Sequence, residues 1–250
     1  MPDRPHRLRD AVKYYWTTRS SQRDQQGAKT GLRDQGSRTA VTGGKHANGF
    51  VEVLLAVLSE TNLKNLEVSV REKRNRTLPG FFRPSKEWDL VATVGKELLA
   101  VVEVKSQVGS LGNNFNNRAE EALGNATDFW AAYREKTFPI SKRPWLVYVF
   151  MLEESSASTR DRSELRSNRA TREGFPMRPE FHTASYVKRY EILCERLVRE
   201  RLYDAACLIV STSTSGVLGE YVEPNPEIGF DNFAANLAAR AIAWETYFGS

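Results

Sequence analysis

The chain has 250 residues, 40% hydrophobic and 10% aromatic, with a formal net charge of +5 and a pI near 9.2. No apolar run reaches the ~20 residues of a membrane-spanning helix, and the charged opening MPDRPHRLRD lacks the apolar core of a signal peptide. Two cysteines, Cys194 and Cys207, exclude a disulfide framework and a C-x-x-C metal site, so a reduced cytoplasmic protein without a membrane partner is expected.

Along the chain, HRLRDAVKYYWTTR sets Leu8, Val12, Tyr15 and Trp16 at helical spacing. The polar stretch 20–46 that follows is too long for an ordinary connection and reads as either a flexible or a binding arm. NGFVEVLLAVLSETNL is a helix apolar on most faces, hence buried. LEVSVREK alternates as a strand, and LPGFFRP marks a turn.

Residues 87–109, EWDLVATVGKELLAVVEVKSQVG, supply two more strands. NNRAEEALGNATDFWAAYRE is an amphipathic helix, and RPWLVYVFMLEE is a continuous apolar run expected of a central strand covered on both faces. After a polar loop near 155–180 come a helix over SYVKRYEILCERLVRERLYD, a buried strand AACLIVSTST and a closing helix FDNFAANLAARAIAWETYF. This order predicts one α/β domain over 1–250, a mixed central sheet flanked by helices. Residues 1–46 form its N-terminal helix and arm, and 47–250 its core.

Charge inside the apolar stretch 87–109 needs a reason, because an uncompensated buried charge is costly. Glu103 and Lys105, two apart in one strand, share a face. A two-residue turn at Gly95-Lys96 with a regular ladder turns Asp89 to the other face. A three-residue loop pairing Val94 with Leu98, or a β-bulge, sets Asp89 across from Glu103. Carboxylates so close raise each other's pKa and call for a cation. A hard ion bound by oxygen, Mg2+, fits best, with Lys105 beside it for a phosphate oxygen or an attacking water. That is equipment for phosphodiester hydrolysis. The same short pattern also suits two strand-end acids in solvent with an exposed lysine, and spacing alone does not choose.

The arrangement of Pro84, Asp89 and Glu103-Val104-Lys105 resembles the PD-(D/E)xK nuclease superfamily. TLPGFFRPSKEWDLV, VVEVKSQVGSLGNNFNNRAEEALG and EFHTASYVKRYEILCERLV resemble, in order, the XhoI-type restriction endonucleases. The resemblance implies a restriction-endonuclease-like core and a prokaryotic, homodimeric, Mg2+-dependent type II enzyme paired with a cognate DNA methyltransferase. Its substrate would be double-stranded DNA at 5′-CTCGAG-3′, cut after the first C to leave four-base 5′ overhangs. Asp89, Glu103 and the Val104 carbonyl would hold the metal, and Lys105 would act at the nucleophile or phosphate. Two other readings stay open: a less specific nuclease of repair or junction resolution, and a DNA-binding protein without catalysis.

For DNA contact, Arg83 and Lys86 are the phosphate candidates. Asn113, Asn114, Asn116, Asn117 and Arg118 follow the catalytic strand, with Asn117 expected as the N-cap of the next helix.

Overall fold

The computed structural model describes residues 4–30, 48–61, 63–138, 142–161 and 174–248. A five-stranded sheet runs through the middle. Strand β1 (Leu66–Ser69) lies at one edge, followed in space by β4 (Leu90–Val94), β5 (Glu97–Gln107), β6 (Trp145–Glu153) and β7 (Ala205–Ser211). β1, β4 and β5 pair antiparallel, whereas β5, β6 and β7 pair parallel. The mixed pattern follows from the connections. A tight turn joins β4 to β5, while helix α3 (Leu111–Arg134) carries the chain from β5 to β6, and helix α5 (Tyr186–Arg199) from β6 to β7.

Helices cover both faces. Helices α1 (Arg4–Thr30), α2 (Asn48–Ser59) and α7 (Phe230–Phe248) pack on one side through Leu8, Val12, Tyr15, Phe50, Leu54, Phe233 and Leu237. Helices α3 and α5 cover the other through Ala126, Phe129, Tyr190 and Leu197. The unbroken apolar run of β6 is thereby explained. Val147, Val149 and Met151 point to the first layer, and Leu146, Tyr148, Phe150 and Leu152 to the second. A separate two-stranded ribbon, β2 (Thr77–Pro79) with β3 (Ser85–Glu87), was not foreseen, since three-residue strands carry no measurable alternation.

Two local features differ from expectation. Helix α1 continues to Thr30, into the stretch expected to be an arm; the remainder of that stretch, like residues 162–173 of the later polar loop, lies outside the described residues. The loop does contain the short helix α4 (Ser156–Thr159), which opens on a capping box at Ser155.

Helix α3 begins at Leu111, with Ser110 at the N-cap in the left-handed region, φ 48°. Asn117 is therefore interior and is not the N-cap. Two apolar anchors draw the asparagines into the helix: Leu111 is buried, and Phe115, four residues on, stacks edge-on against Tyr190 at 5.1 Å.

The turn between β4 and β5 is the tight one, with Val94 opposite Glu97 and Gly95 at φ 59°. A bulge between Ala92 and Thr93 then shifts the ladder, so that Leu90 faces Val102. One further step along each strand carries Asp89 opposite Glu103. Of the two devices expected to bring the acids opposite each other, the structure uses the bulge and not the longer loop. No helix among the described residues is long and apolar enough to cross a membrane.

On the far side of the sheet, helix α6 (Ser213–Gly216) packs against α1, where Trp16 Nε1 donates to Ser211 Oγ at 3.1 Å. A Cβ at Gly216 would lie 2.0 Å from Trp16 Cδ1. Gly216→Ala is expected to destabilise the protein by about 1–3 kcal/mol, as overpacking does elsewhere. Thermal melting checks this, and an unchanged melting temperature contradicts it.

Candidate active site

β5 alternates, so Val101, Glu103 and Lys105 face α3 while Val102 and Val104 face the opposite layer. On β4, Val91 packs with the α3 layer, and Asp89, two residues earlier, shares its direction. The acids therefore lie on the same side.

Glu103 is 1% exposed and sits between two ammonium groups. Lys86 Nζ lies 3.1 Å from its Oε1 and 3.0 Å from its Oε2, and Lys105 Nζ lies 2.5 Å from Oε1. Asn125 Nδ2 of α3 donates to Oε1 at 3.4 Å. Lys105 reaches on to Glu121 Oε1 at 3.2 Å, and Arg118 Nη1 donates to Glu121 Oε2 at 2.6 Å. The backbone N–H of Val104 donates to Asp89 Oδ2 at 2.7 Å, so the residue between Glu103 and Lys105 anchors the second acid.

The charges tune one another. Burial, and after it the negative charge of Glu103, pushes the Asp89 carboxyl up to about 6, against the opposing pull of the Val104 N–H, Lys105 and Lys86. Burial works against the Lys105 cation, yet Glu103 and then Glu121 hold its pKa above the ordinary lysine value. In the metal-free protein Lys105 is therefore held as a cation. Burial also opposes ionisation of Glu121, but Lys105 and Arg118 draw its carboxyl down.

The structure thus gathers Asp89, Glu103, Lys105, Lys86 and, through Glu121, Arg118. Lys86 turns inward and lies 4.5 Å over the ring of Trp88, a buried core residue. Arg83 is set apart: Nε donates to Asp128 Oδ2 at 2.8 Å and Nη2 to Asn125 Oδ1 at 2.9 Å. Asn116 and Asn117 are exposed on the opening turns of α3, Asn114 Nδ2 donates to Ser110 O at 2.9 Å, and the Asn113 side chain lies outside the described residues. Glu52 of α2, 50% exposed, faces Arg71 at 3.6 Å.

Sequence reasoning missed Glu121, Asn125 and Asp128. Their signal was present, since positions 121, 125 and 128 form a helical stripe flush with the apolar stripe Ala122, Ala126 and Phe129. Polar side chains that close to a core-facing stripe must find partners.

The chain matches the family model described as restriction endonuclease XhoI over residues 25–223. It belongs to the XhoI restriction endonuclease family. Three relatives carry the name type II restriction enzyme. BstVI of Geobacillus stearothermophilus is 44% identical over 211 residues, covering 82% of this chain and 91% of that protein. XhoI of Xanthomonas vasicola is 40% identical over 200 residues, 78% and 75% of the two chains. AbrI of Azospirillum brasilense is 38% identical over 165 residues, 66% and 73%. No solved structure matches the chain.

The mixed sheet with helices on both faces is consistent with the restriction-endonuclease-like core expected of this XhoI family member. Among its described residues, no group of three or more His, Cys, Asp and Glu side chains converges.

Proposed function

We propose that this type II restriction endonuclease hydrolyses double-stranded DNA at 5′-CTCGAG-3′, cutting after the first C to leave four-base 5′ overhangs. Residues 1–250 act as one nuclease domain in a homodimer, whose two-fold axis matches the palindrome and gives each strand its own active site. A cognate methyltransferase protects host DNA.

One observation carries the chemistry: Asp89, Glu103 and Lys105 converge on one face of the sheet in a charged, largely buried cluster. A carboxylate pair whose charges oppose each other fits a hard divalent cation, Mg2+. Asp89, Glu103 and the Val104 carbonyl would hold it. When bound, such an ion supplies Lewis-acid polarisation of the phosphate and a lowered water pKa.

The chain's own residues do the rest. The Val104 N–H fixes the Asp89 carboxylate, and Lys86 and Asn125 fix Glu103. Lys105, held protonated, stands where it can bind the attacking water's oxygen or a phosphate oxygen and offset negative charge as it develops. Glu121 and Arg118 keep its ammonium in place.

Digestion of plasmid DNA with Mg2+ tests the proposal, with the cut ends sequenced. Discrete fragments ending at C^TCGAG, lost in EDTA or after methylation of the site, are expected. A smear, or cutting confined to branched junctions, would point to the less specific nuclease instead. Binding without any cutting would leave the non-catalytic reading.

A further inference from the structure

The loop joining β2 to β3 exposes two adjacent phenylalanines, Phe81 at 50% and Phe82 at 71%. Their rings meet edge to face at 4.9 Å. Large apolar groups left in water need an explanation when the backbone beneath them is held rigidly. Here it is. Asp128, buried on α3, accepts the backbone N–H of Phe81 at 2.9 Å, that of Phe82 at 2.7 Å and Arg83 Nε at 2.8 Å. A Cβ at Gly80 would lie 2.6 Å from Arg83 O and 2.7 Å from Asp128 Oδ2, so only glycine admits this close approach. The rings are presented, not loose.

The same buttress leads to the acid cluster. Arg83 donates to Asn125, Asn125 donates to Glu103, and Lys86, on the returning strand of the ribbon, grips Glu103 directly. The ribbon and its lead-in, residues 71–87, carry Arg71, Lys73, Arg74, Arg76, Arg83 and Lys86 against two acids, Glu72 and Glu87, an excess of four positive charges, although Lys73 and Arg76 pair with Glu87 and Lys86 is turned in on Glu103. That charge matches a phosphate backbone. An apolar tip on a basic ribbon is the composition with which proteins wedge between base steps, where phenylalanine replaces lost base stacking.

Resting on the reading of the chain as a DNA endonuclease, we propose that the β2–β3 ribbon grips the duplex beside the scissile phosphate and that Phe82, backed by Phe81, wedges against a base step there. Part of the sequence preference is then read as the ease of unstacking that step, without hydrogen bonds to base edges. Asp128 is a positioning residue for this tip.

The test uses the full-length protein with Ca2+ in place of Mg2+ and a short duplex holding the site mapped by cleavage, with thymines placed across the site and its flanks. Permanganate, which oxidises unstacked thymines, is expected to find at least one hyperreactive thymine in the wild-type complex. Phe82→Ala is expected to lose that signal and to bind at least about fivefold more weakly, the lower end of the effect of losing one base–aromatic contact. Phe82→Trp should restore both, and thermal melting should show all variants folded. Wild-type binding with no hyperreactive thymine overturns the proposal, as does a Phe82→Ala variant indistinguishable from wild type. So does a Phe81→Ser/Phe82→Ser protein that sediments as a smaller species than wild type without DNA, since the patch would then be a subunit interface. If the wild type neither binds nor cuts duplex DNA, the endonuclease reading falls too, which separates the two failures.

Discussion

Lys105→Ala is expected to slow single-turnover DNA cleavage about 10²–10³-fold, the usual effect of deleting one preorganised electrostatic partner of the developing charge. Equilibrium binding of DNA should change little, because the ammonium is turned toward Glu103 and Glu121. Glu103 and Glu121 already hold Lys105 protonated, so raising the pH should not rescue the variant as it would if a base had been lost. Lys105→Arg should recover little, since a planar guanidinium does not fill the place of a compact ammonium between two carboxylates. Quenched-flow cleavage of a labelled duplex gives the rates. A wild type that cuts no faster than Lys105→Ala would remove the catalytic reading altogether.

Asp89→Asn should separate stability from activity. Asp89 carries a pKa of about 6 when folded, against an ordinary carboxyl near 3.8. The folded state therefore binds more protons than the unfolded state between those values, and stability falls as pH rises through that window. By pH 8 the ionised carboxylate costs on the order of 2–3 kcal/mol in the metal-free protein. Asparagine is neutral, and its Oδ1 can still accept the Val104 N–H. In EDTA at pH 8, Asp89→Asn is expected to melt at a higher temperature than wild type, and with Mg2+ supplied it should cut no DNA.

Below about pH 6 a proton competes for Asp89, so Mg2+ should raise the wild-type melting temperature more at pH 8 than at pH 5.5. It should raise that of Asp89→Asn less at either pH. A variant less stable than wild type in EDTA at pH 8 would refute the idea that Asp89 is held against its own electrostatics for a cation.

Several elements could be drawn from residue order alone, because their signals are local. The alternating and continuous apolar runs of β5, β6 and β7 announced strands, and the spacing of Leu8, Val12, Tyr15 and Trp16 announced α1. The residue types at Asp89, Glu103 and Lys105 announced acids and a cation where an aliphatic strand has no use for them. What stayed hidden depended on distant partners. The start of α3 moved from Asn117 to Leu111 because Phe115 finds Tyr190, on a helix far along the chain. Lys86, expected at a DNA phosphate, turns inward because Glu103 and the Trp88 ring receive it.

Residue order by itself therefore determined the fold class and the unusual acids and lysine of the strand, since composition and periodicity are properties of neighbouring residues, whereas the family was read from the resemblance of three longer blocks. Only the folded chain decided that the two acids share a side, through one bulged residue between β4 and β5 that reverses the direction of everything beyond it. It also decided that a stripe on α3 would carry Glu121, Asn125 and Asp128 to the cluster and its adjoining loop. Burial makes each of those polar groups choose a partner, and the choice is made across the sheet rather than along the chain.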